Sequence, residues 1–388
     1  MIRRDFIRFV LAGSAVAGLT SGFDTVVLGN NLPDFLKTDA GQCLPDRTVN
    51  GKAWFNCEKI PLEGRAWENE ERISPYDRFP KRWMEKIPSG VRGNSLHSSG
   101  MAAHFKTNSK NIWINYENTK AHLGMWHMAP VGVSGFDLYC RDEHGTWRYF
   151  NAIQKGAKAE ALIGTGIPDD GKEREYLIYF PLYNGVKMME IGVIEGSTFS
   201  IVPQNQKPIL FYGTSICHGA CASRPGMPHP PVLARRLDMP FWNFGFSGCG
   251  KMEPVMAEAF SELDPSIYVL DCVPNMNAAL VTERAFPFVV KLRETHPDTP
   301  ILLVEDRRGP KAWMDQAAKE KHDANHAAMR TQYERMLAAG IKGLYYLEGD
   351  LLLPPDGEGT VDNSHPNDYG FYWQANAMEP VMRKALGK

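Results

Sequence analysis

Ser215, Asp362 and His365 are the residue types that acyl transfer requires, and each stands in a setting that suits it. Ser215 follows a short apolar run, Ile209-Leu210-Phe211-Tyr212, through Gly213-Thr214. Asp362-Asn363-Ser364-His365 lies near the carboxyl terminus. A serine hydroxyl is a weak nucleophile until a base takes its proton. An imidazole titrates near neutral pH and can be that base. A carboxylate one turn earlier can hold the other ring nitrogen and stabilise the imidazolium. The tetrahedral intermediate also needs hydrogen-bond donors, expected here from the backbone N–H groups of Ser215 and Gly248 and the side-chain amide of Asn275. Glycine at 248 lets the backbone come close to a substrate. The chemistry implied is acyl transfer through a covalent serine ester, with no metal or organic cofactor required.

The elements around these residues must bring them together. Beyond the polar, proline-bounded stretch Pro203-Gln204-Asn205-Gln206-Lys207-Pro208, strand-like and helix-like segments alternate. Strands are expected at 209–212, 241–244, 267–270, 301–304 and 344–347. Helices are expected at 231–237, 253–263, 282–295, about 312–339 and 371–386. Continuous apolar strands are those buried on both faces of a parallel sheet. In such sheets chemistry gathers at the carboxyl ends of the strands. Ser215, the Asn243-Phe244-Gly245-Phe246-Ser247-Gly248 stretch and the Asp271-Cys272-Val273-Pro274-Asn275 stretch all follow strands, so one sheet edge should carry all three.

The amino-terminal half differs. Residues from about 25 to 95 read as irregular and are expected to wrap the surface of the later segments. From about 96 to 202, short runs rich in aromatic and β-branched residues, such as Ile112-Trp113-Ile114-Asn115-Tyr116, suggest a β-sandwich. Asn184-Gly185, between runs at 175–180 and 186–193, predicts a two-residue hairpin. Trp113, Trp126 and Trp147 are expected mostly to fill the sandwich core, with a sugar-stacking surface as the alternative.

A chain of 388 residues exceeds what one hydrophobic core usually serves. It divides into a leader at 1–25, an irregular region and sandwich at 26–202, and a catalytic domain at 203–388. A net charge of −2 argues against a nucleic-acid partner. Arg3-Arg4, an apolar stretch from Phe9 to about Leu19 and small residues after it form a twin-arginine-type export signal. The stretch is short for a bilayer span. The mature chain is thus expected in the periplasm or outside the cell, with no stable membrane insertion once the signal is removed. Seven cysteines, with no CxxC, read mainly as packing residues, Cys43 and Cys57 being the best local pair for a disulfide.

The ordered set Ser215, Gly248, Asn275 and His365, with Asp362 three residues before the histidine, resembles the SGNH hydrolase superfamily, also called the GDSL-like esterases. The resemblance implies a flavodoxin-like three-layer α/β/α domain and esterase activity. Thr214 and Ile216 stand where the first block of the family has Asp and Leu, and Val273-Pro274-Asn275-Met276 replaces the common Gly-x-Asn-Asp. Gly135-Phe136-Asp137-Leu138-Tyr139 is similar to the Gly-x-Asp-Leu-Tyr signature of β-sandwich (jelly-roll-like) domains that precede one SGNH subgroup. Gly213–Ile216, Cys221–Gly226 and Val304–Arg307 also look like that subgroup. This narrower likeness implies an exported bacterial hydrolase, a carbohydrate esterase among the options.

Several other side chains stay open. His218 either lines the pocket or packs on its neighbours. Arg224 either binds an acidic sugar or ester carbonyl, or forms a structural salt bridge. Asp306, with Asp271 and Glu305, either binds sugar hydroxyls or satisfies loop amides and Arg307 or Arg308. Arg224, His218 and Asp306 are the substrate-binding candidates. His322 and His326 have the i, i+4 spacing of metal ligands but lack a third partner, so a solvated helix face is expected and no metal site is assigned. The leading expectation is an exported esterase acting on short acyl, chiefly acetyl, esters of a small molecule or oligosaccharide. The alternatives are a lipase or thioesterase on the same triad, and a vestigial hydrolase that binds glycans.

Overall fold

Some strands of the first half are buried on one face only. In Ile112–Asn118, Ile112, Ile114, Tyr116 and Asn118 are buried and the residues between them are partly exposed, the period-two alternation of a half-buried strand. The computed structural model describes residues 42–388; the expected export signal lies outside the described residues. All described residues belong to one compact unit.

The strands before residue 203 are β1 (Arg47–Val49), β2 (Lys52–Asn56), β3 (Leu62–Glu63), β4 (Ala102–Thr107), β5 (Ile112–Asn118), β6 (Phe136–Arg141), β7 (Trp147–Ile153), β8 (Lys158–Gly164), β9 (Arg174–Tyr179), β10 (Val186–Ile194) and β11 (Ser200–Ile201). Short helices α1 (Lys81–Met84), α2 (Ser89–Ser95) and α3 (Pro130–Ser134) interrupt them. One antiparallel sheet has the order β1-β2-β10-β5-β8, and the other β11-β4-β9-β6-β7 with β3 on β4. Phe55, Phe105, Ile114, Tyr116, Phe136, Ile178 and Ile191 are among the side chains that fill the core between them.

Three expectations fail here. The stretch up to residue 95 is not merely irregular. It supplies β1–β3, and Phe79, Trp83, Met84, Ile87 and Val91 enter the core of the second half. Asn184-Gly185 makes no hairpin, because β9 pairs with β4 and β6 whereas β10 pairs with β2 and β5. Neither residue has the positive φ of a type I′ turn. Asn184 is instead buried at a crossing between the sheets, accepting from Lys120 N at 3.0 Å and donating to Ser134 Oγ at 3.0 Å. The three tryptophans also stay out of the sandwich core, and Trp126 is 84% exposed.

The second half contains β12 (Ile209–Gly213), β13 (Phe241–Gly245), β14 (Ile267–Asp271), β15 (Ile301–Val304) and β16 (Leu344–Leu347). Its helices are α4 (Ser215–His218), α5 (His229–Leu237), α6 (Pro254–Phe260), α7 (Ala278–Thr295), α8 (Gln316–Ala338) and α9 (Asp368–Leu386). The expected helix from about 312 is split: a 3₁₀ turn, Pro310–Trp313, precedes α8, which Asp315 caps by accepting from Ala318 N at 3.0 Å. All strand pairs are parallel, in the order β13-β12-β14-β15-β16. That is the 2-1-3-4-5 order of the flavodoxin-like fold, whose crevice opens where the order reverses, at β12 and β14. Leu210, Tyr212, Tyr268 and Leu270 face α6, α7 and α8, while Phe211, Ile267 and Val269 face α5 and α9. Burial on both faces explains the unbroken apolar strand sequences.

Sandwich and sheet are tied by charge as well as by apolar contact. His104 on β4 sits between Glu63 (2.5 Å) and Glu175 (2.9 Å), and Arg141 bridges Glu175 (2.9 Å) and Asp238 (2.7 Å), just beyond α5. Burial opposes a charged His104 ring, but the two carboxylates outweigh it and raise its pKa. Burial likewise opposes the charge on Glu175, but His104, Arg141 and Lys106 draw its carboxyl down to about 2. A raised histidine stabilises the fold fully below its unfolded value of about 6.5, and this contribution is lost as pH rises through the folded value. His104→Gln should therefore lower the thermal midpoint more at about pH 5.5 than at about pH 9. A gap that stays constant or widens with pH would contradict a charged His104 clasp.

Candidate active site

The approach to Ser215 begins with a close contact between strands. A Cβ on Gly213 would lie 2.8 Å from Asp271 O and 2.9 Å from Cys217 Cβ, so only glycine lets β12 end against β14 there. Thr214 is extended, and its side chain caps α4 by accepting from Ile216 N at 3.2 Å. Threonine thus does the capping that aspartate would do in the family pattern. Ser215 opens α4, which ends at Gly219 with φ +109°.

Ser215 Oγ lies 2.8 Å from His365 Nε2, across 150 residues of chain. His365 Nδ1 lies 2.7 Å from Asp362 Oδ2, and Asp362 Oδ1 accepts the backbone N–H groups of Ser364 (3.1 Å) and His365 (2.8 Å). With Nδ1–H on the carboxylate, Nε2 is left to accept from the serine. Burial opposes the Asp362 charge, but the backbone and ring N–H groups of His365 and the N–H of Ser364 outweigh it and hold the carboxyl below its ordinary value. A backbone bridge between Thr360 and Pro366 closes the loop, and Asn363, at φ +70°, accepts from Lys311 N at 2.7 Å.

Gly248 follows β13 at φ +66°, with open space where a side chain would stand. Among the described residues, neither its N–H nor that of Ser215 donates a hydrogen bond. Asn275, in a 3₁₀ turn after β14, donates to Cys249 O and lies 3.5 Å from Phe246 O, so its amide holds the loop that carries Gly248. Ile216, Pro274, Lys311, His322, Asn363 and Ser364 border a cavity of about 400 Å³.

Each substrate-binding candidate has partners within the protein, and Asp306 also borders that cavity. His218 is fully buried, stacked on Tyr183 at 4.1 Å, with Nε2 2.7 Å from Leu182 O. Burial, with Arg78 and His97 nearby, drives its pKa well down, so it is neutral. Asp306 is buried and holds His322 Nδ1 (2.8 Å) and Asn325 Nδ2 (3.1 Å). Arg224 forms the salt bridge: its guanidinium meets Asp137 at 2.7 Å and Tyr139 Oη at 2.5 Å and lies over the Tyr149 ring. His322 and His326 are not on a solvated face. Their rings bind Asp306 Oδ2 and Asp306 O, tying α8 to the end of β15. All seven cysteines are free thiols, Cys43 and Cys57 included.

Sequence reasoning missed His127 and did not place Cys221 beside Asp362 and His365. His127 comes from the sandwich, and its ring lies 5.7 Å from that of His365 at 84°. No spacing in the chain signals this contact.

The model of the GDSL-like lipase/acylhydrolase family matches residues 206–383, and that of the N-terminus of SGNH-hydrolase-type esterases matches residues 52–199. Among solved structures, a GDSL-like lipase of Bacteroides ovatus ATCC 8483 is 32% identical, with a TM-score of 0.81 over 87% of this chain and 98% of that one. A salicylyl-acyltransferase from a tetracycline biosynthetic pathway is 20% identical (TM-score 0.69; 88% and 99% covered). A family two carbohydrate esterase from Cellvibrio japonicus is 12% identical (TM-score 0.56; 87% and 98% covered). The last two are likenesses of fold. No curated protein matches. The fold is that of the SGNH hydrolases, and the chain belongs to the GDSL-like lipase/acylhydrolase family. It is an ester-hydrolysing enzyme.

Beneath the site, Asp271 and Arg307 form a fully buried bidentate pair at 2.7 and 2.6 Å. Removing one partner strands a buried charge, at a cost of about 3–5 kcal/mol. Arg307→Met should lower the urea-unfolding free energy by about that much; a loss under about 1 kcal/mol would mean that the pair is not buried as described.

Proposed function

We propose that the chain is an exported serine esterase that removes short acyl groups, chiefly acetyl, from carbohydrates. In this reading Ser215 attacks the ester carbonyl, His365 takes its proton and passes it to the leaving alcohol, and Asp362 orients the imidazole. The N–H groups of Ser215 and Gly248 and the amide of Asn275 receive the oxyanion. For the last donor to serve, the Asn275 amide turns from Cys249 O towards the substrate. Water, activated by His365, then releases the acid. Residues 203–388 carry the chemistry, residues 26–202 brace it, and residues 1–25 direct export.

The observation that carries the reading is the relay itself, 2.8 Å from Ser215 to His365 and 2.7 Å from His365 to Asp362. The cavity beside it supports a short acyl group and a polar alcohol, since Lys311, Asp315, Lys321, Asn363 and Ser364 contribute to its wall. A long alkyl chain would gain little there. Among the described residues, no helix is long and apolar enough to cross a membrane. The fold shared with a family two carbohydrate esterase agrees with a glycan ester as substrate.

Release of p-nitrophenol from p-nitrophenyl acetate tests this. Ser215→Ala should lose at least about 10⁴-fold in kcat, and Asn275→Ala about 10²–10³-fold. Activity that survives in Ser215→Ala would end the serine mechanism. No turnover by the wild-type chain on any acyl ester would favour a vestigial binder. Octanoate preferred over acetate would move the assignment to a lipase.

A further inference from the structure

His127, Cys221, Asp362 and His365 come from three separate stretches of chain, yet one donor atom from each lies within 4.8 Å of all the others. Two observations single the group out. The Nδ1 atom of His127 is buried with no hydrogen-bond partner, a costly state for a polar atom unless something binds it. Cys221 is held at φ +69°, a conformation that a non-glycine residue seldom adopts, and its thiol is free. The backbone around His127 is braced, since Met125 and Met128 exchange hydrogen bonds of 2.9 and 3.1 Å. The ring itself is stacked under Trp126 at 4.3 Å.

We propose that these four side chains form an inhibitory site for a zinc-class divalent cation, which stops the hydrolase by taking His365 away from Ser215. Imidazole and thiolate favour such an ion over magnesium or calcium, and a carboxylate is an accepted further ligand. Bonds of about 2.0–2.3 Å would draw the four donors in by about 1 Å. On binding, the Cys221 S–H bond breaks, its proton goes to solvent, and the sulfur lone pair forms the metal–sulfur bond. Thiolate and carboxylate together cancel the dication, so no net charge is left in the half-buried site. His365 binds through the lone pair of Nε2 and gives up its hydrogen bond to Ser215, whose hydroxyl keeps its proton, while the Nδ1 proton stays where it is. No oxidation or reduction is involved.

The inhibitory consequence rests on the esterase reading; the binding does not. Zinc chloride at micromolar concentration should reduce turnover of p-nitrophenyl acetate at least ten-fold, EDTA should restore it, and magnesium should have no effect. Cys221→Ser and His127→Phe should keep basal turnover and each need at least ten-fold more zinc. Wild-type-like zinc sensitivity in both variants would overturn the site, as would a wild-type enzyme indifferent to zinc. Cobalt(II) added to the full-length Ser215→Ala protein gives a readout free of catalysis. A thiolate-to-cobalt absorption band should appear and be missing when Cys221→Ser is added; its absence from Ser215→Ala itself sinks the proposal. A normal cobalt band in a chain without esterase activity would sink the functional reading alone.

Discussion

The hydrogen bond between Ser215 Oγ and His365 Nε2 joins two groups 150 residues apart, and much of the second half exists to keep it at 2.8 Å. One end is fixed by the parallel register that sets Gly213 beside both Gly245 and Asp271. Ser215 therefore starts from the same edge as the Gly248 and Asn275 loops. The other end is a short loop closed on itself by the Thr360–Pro366 bridge and held to the 3₁₀ turn by Asn363. Immediately after it, Asn367 caps α9 by accepting from Gly370 N at 3.0 Å, so the loop leads directly into a helix anchored on the sheet. A bond between side chains has little tolerance for error, and both anchors are backbone structures with little freedom.

The sandwich adds a second set of restraints. Asp137 and Tyr139, from the Gly135–Tyr139 signature, grip Arg224, and Asp137 also accepts from Gly226 N at 2.8 Å. Two of the stretches that resemble the same subgroup are thus partners in space: one clamps the chain just after α4. From the amino-terminal side, the buried Arg78 donates to Asn243 O (2.9 Å) and Gly245 O (2.8 Å), gripping the end of β13 just before the Gly248 loop. Hydrogen bonds from a charged donor to buried carbonyls are worth roughly 1.5–3 kcal/mol each. The segment between β3 and β4 therefore helps to set the site, although none of its residues is Ser215, Asp362 or His365.

Carboxylates at the strand ends serve the scaffold. Asp271 neutralises Arg307, Asp306 binds α8 through His322 and Asn325, and Glu305 accepts from Gly349 N at 2.7 Å. Each is buried, and a buried charge persists only when its oxygens are satisfied. From the sequence, carboxylates at the carboxyl edge of a parallel sheet look like ligand contacts as readily as braces. Burial separates the two, and burial depends on what packs above them.

The sequence by itself determined the parallel sheet and singled out Ser215, Asp362 and His365, which hydrogen bonds join in space. Strands such as Ile209–Gly213 are apolar throughout because both faces are covered. The spacing of Asp362 and His365 is local enough to be read along the chain. Even the capped start of α4 at Thr214 is a local property. Only the tertiary structure decided the rest: that the runs beside Asn184-Gly185 part into different sheets, that Phe79 and Trp83 enter a distant core, that His218 turns inward, and that His127 meets His365. The physical reason is that hydrophobic periodicity and capping act over one or two turns of chain. Which buried faces meet, and which polar groups find partners between them, is settled by contacts between residues far apart in sequence.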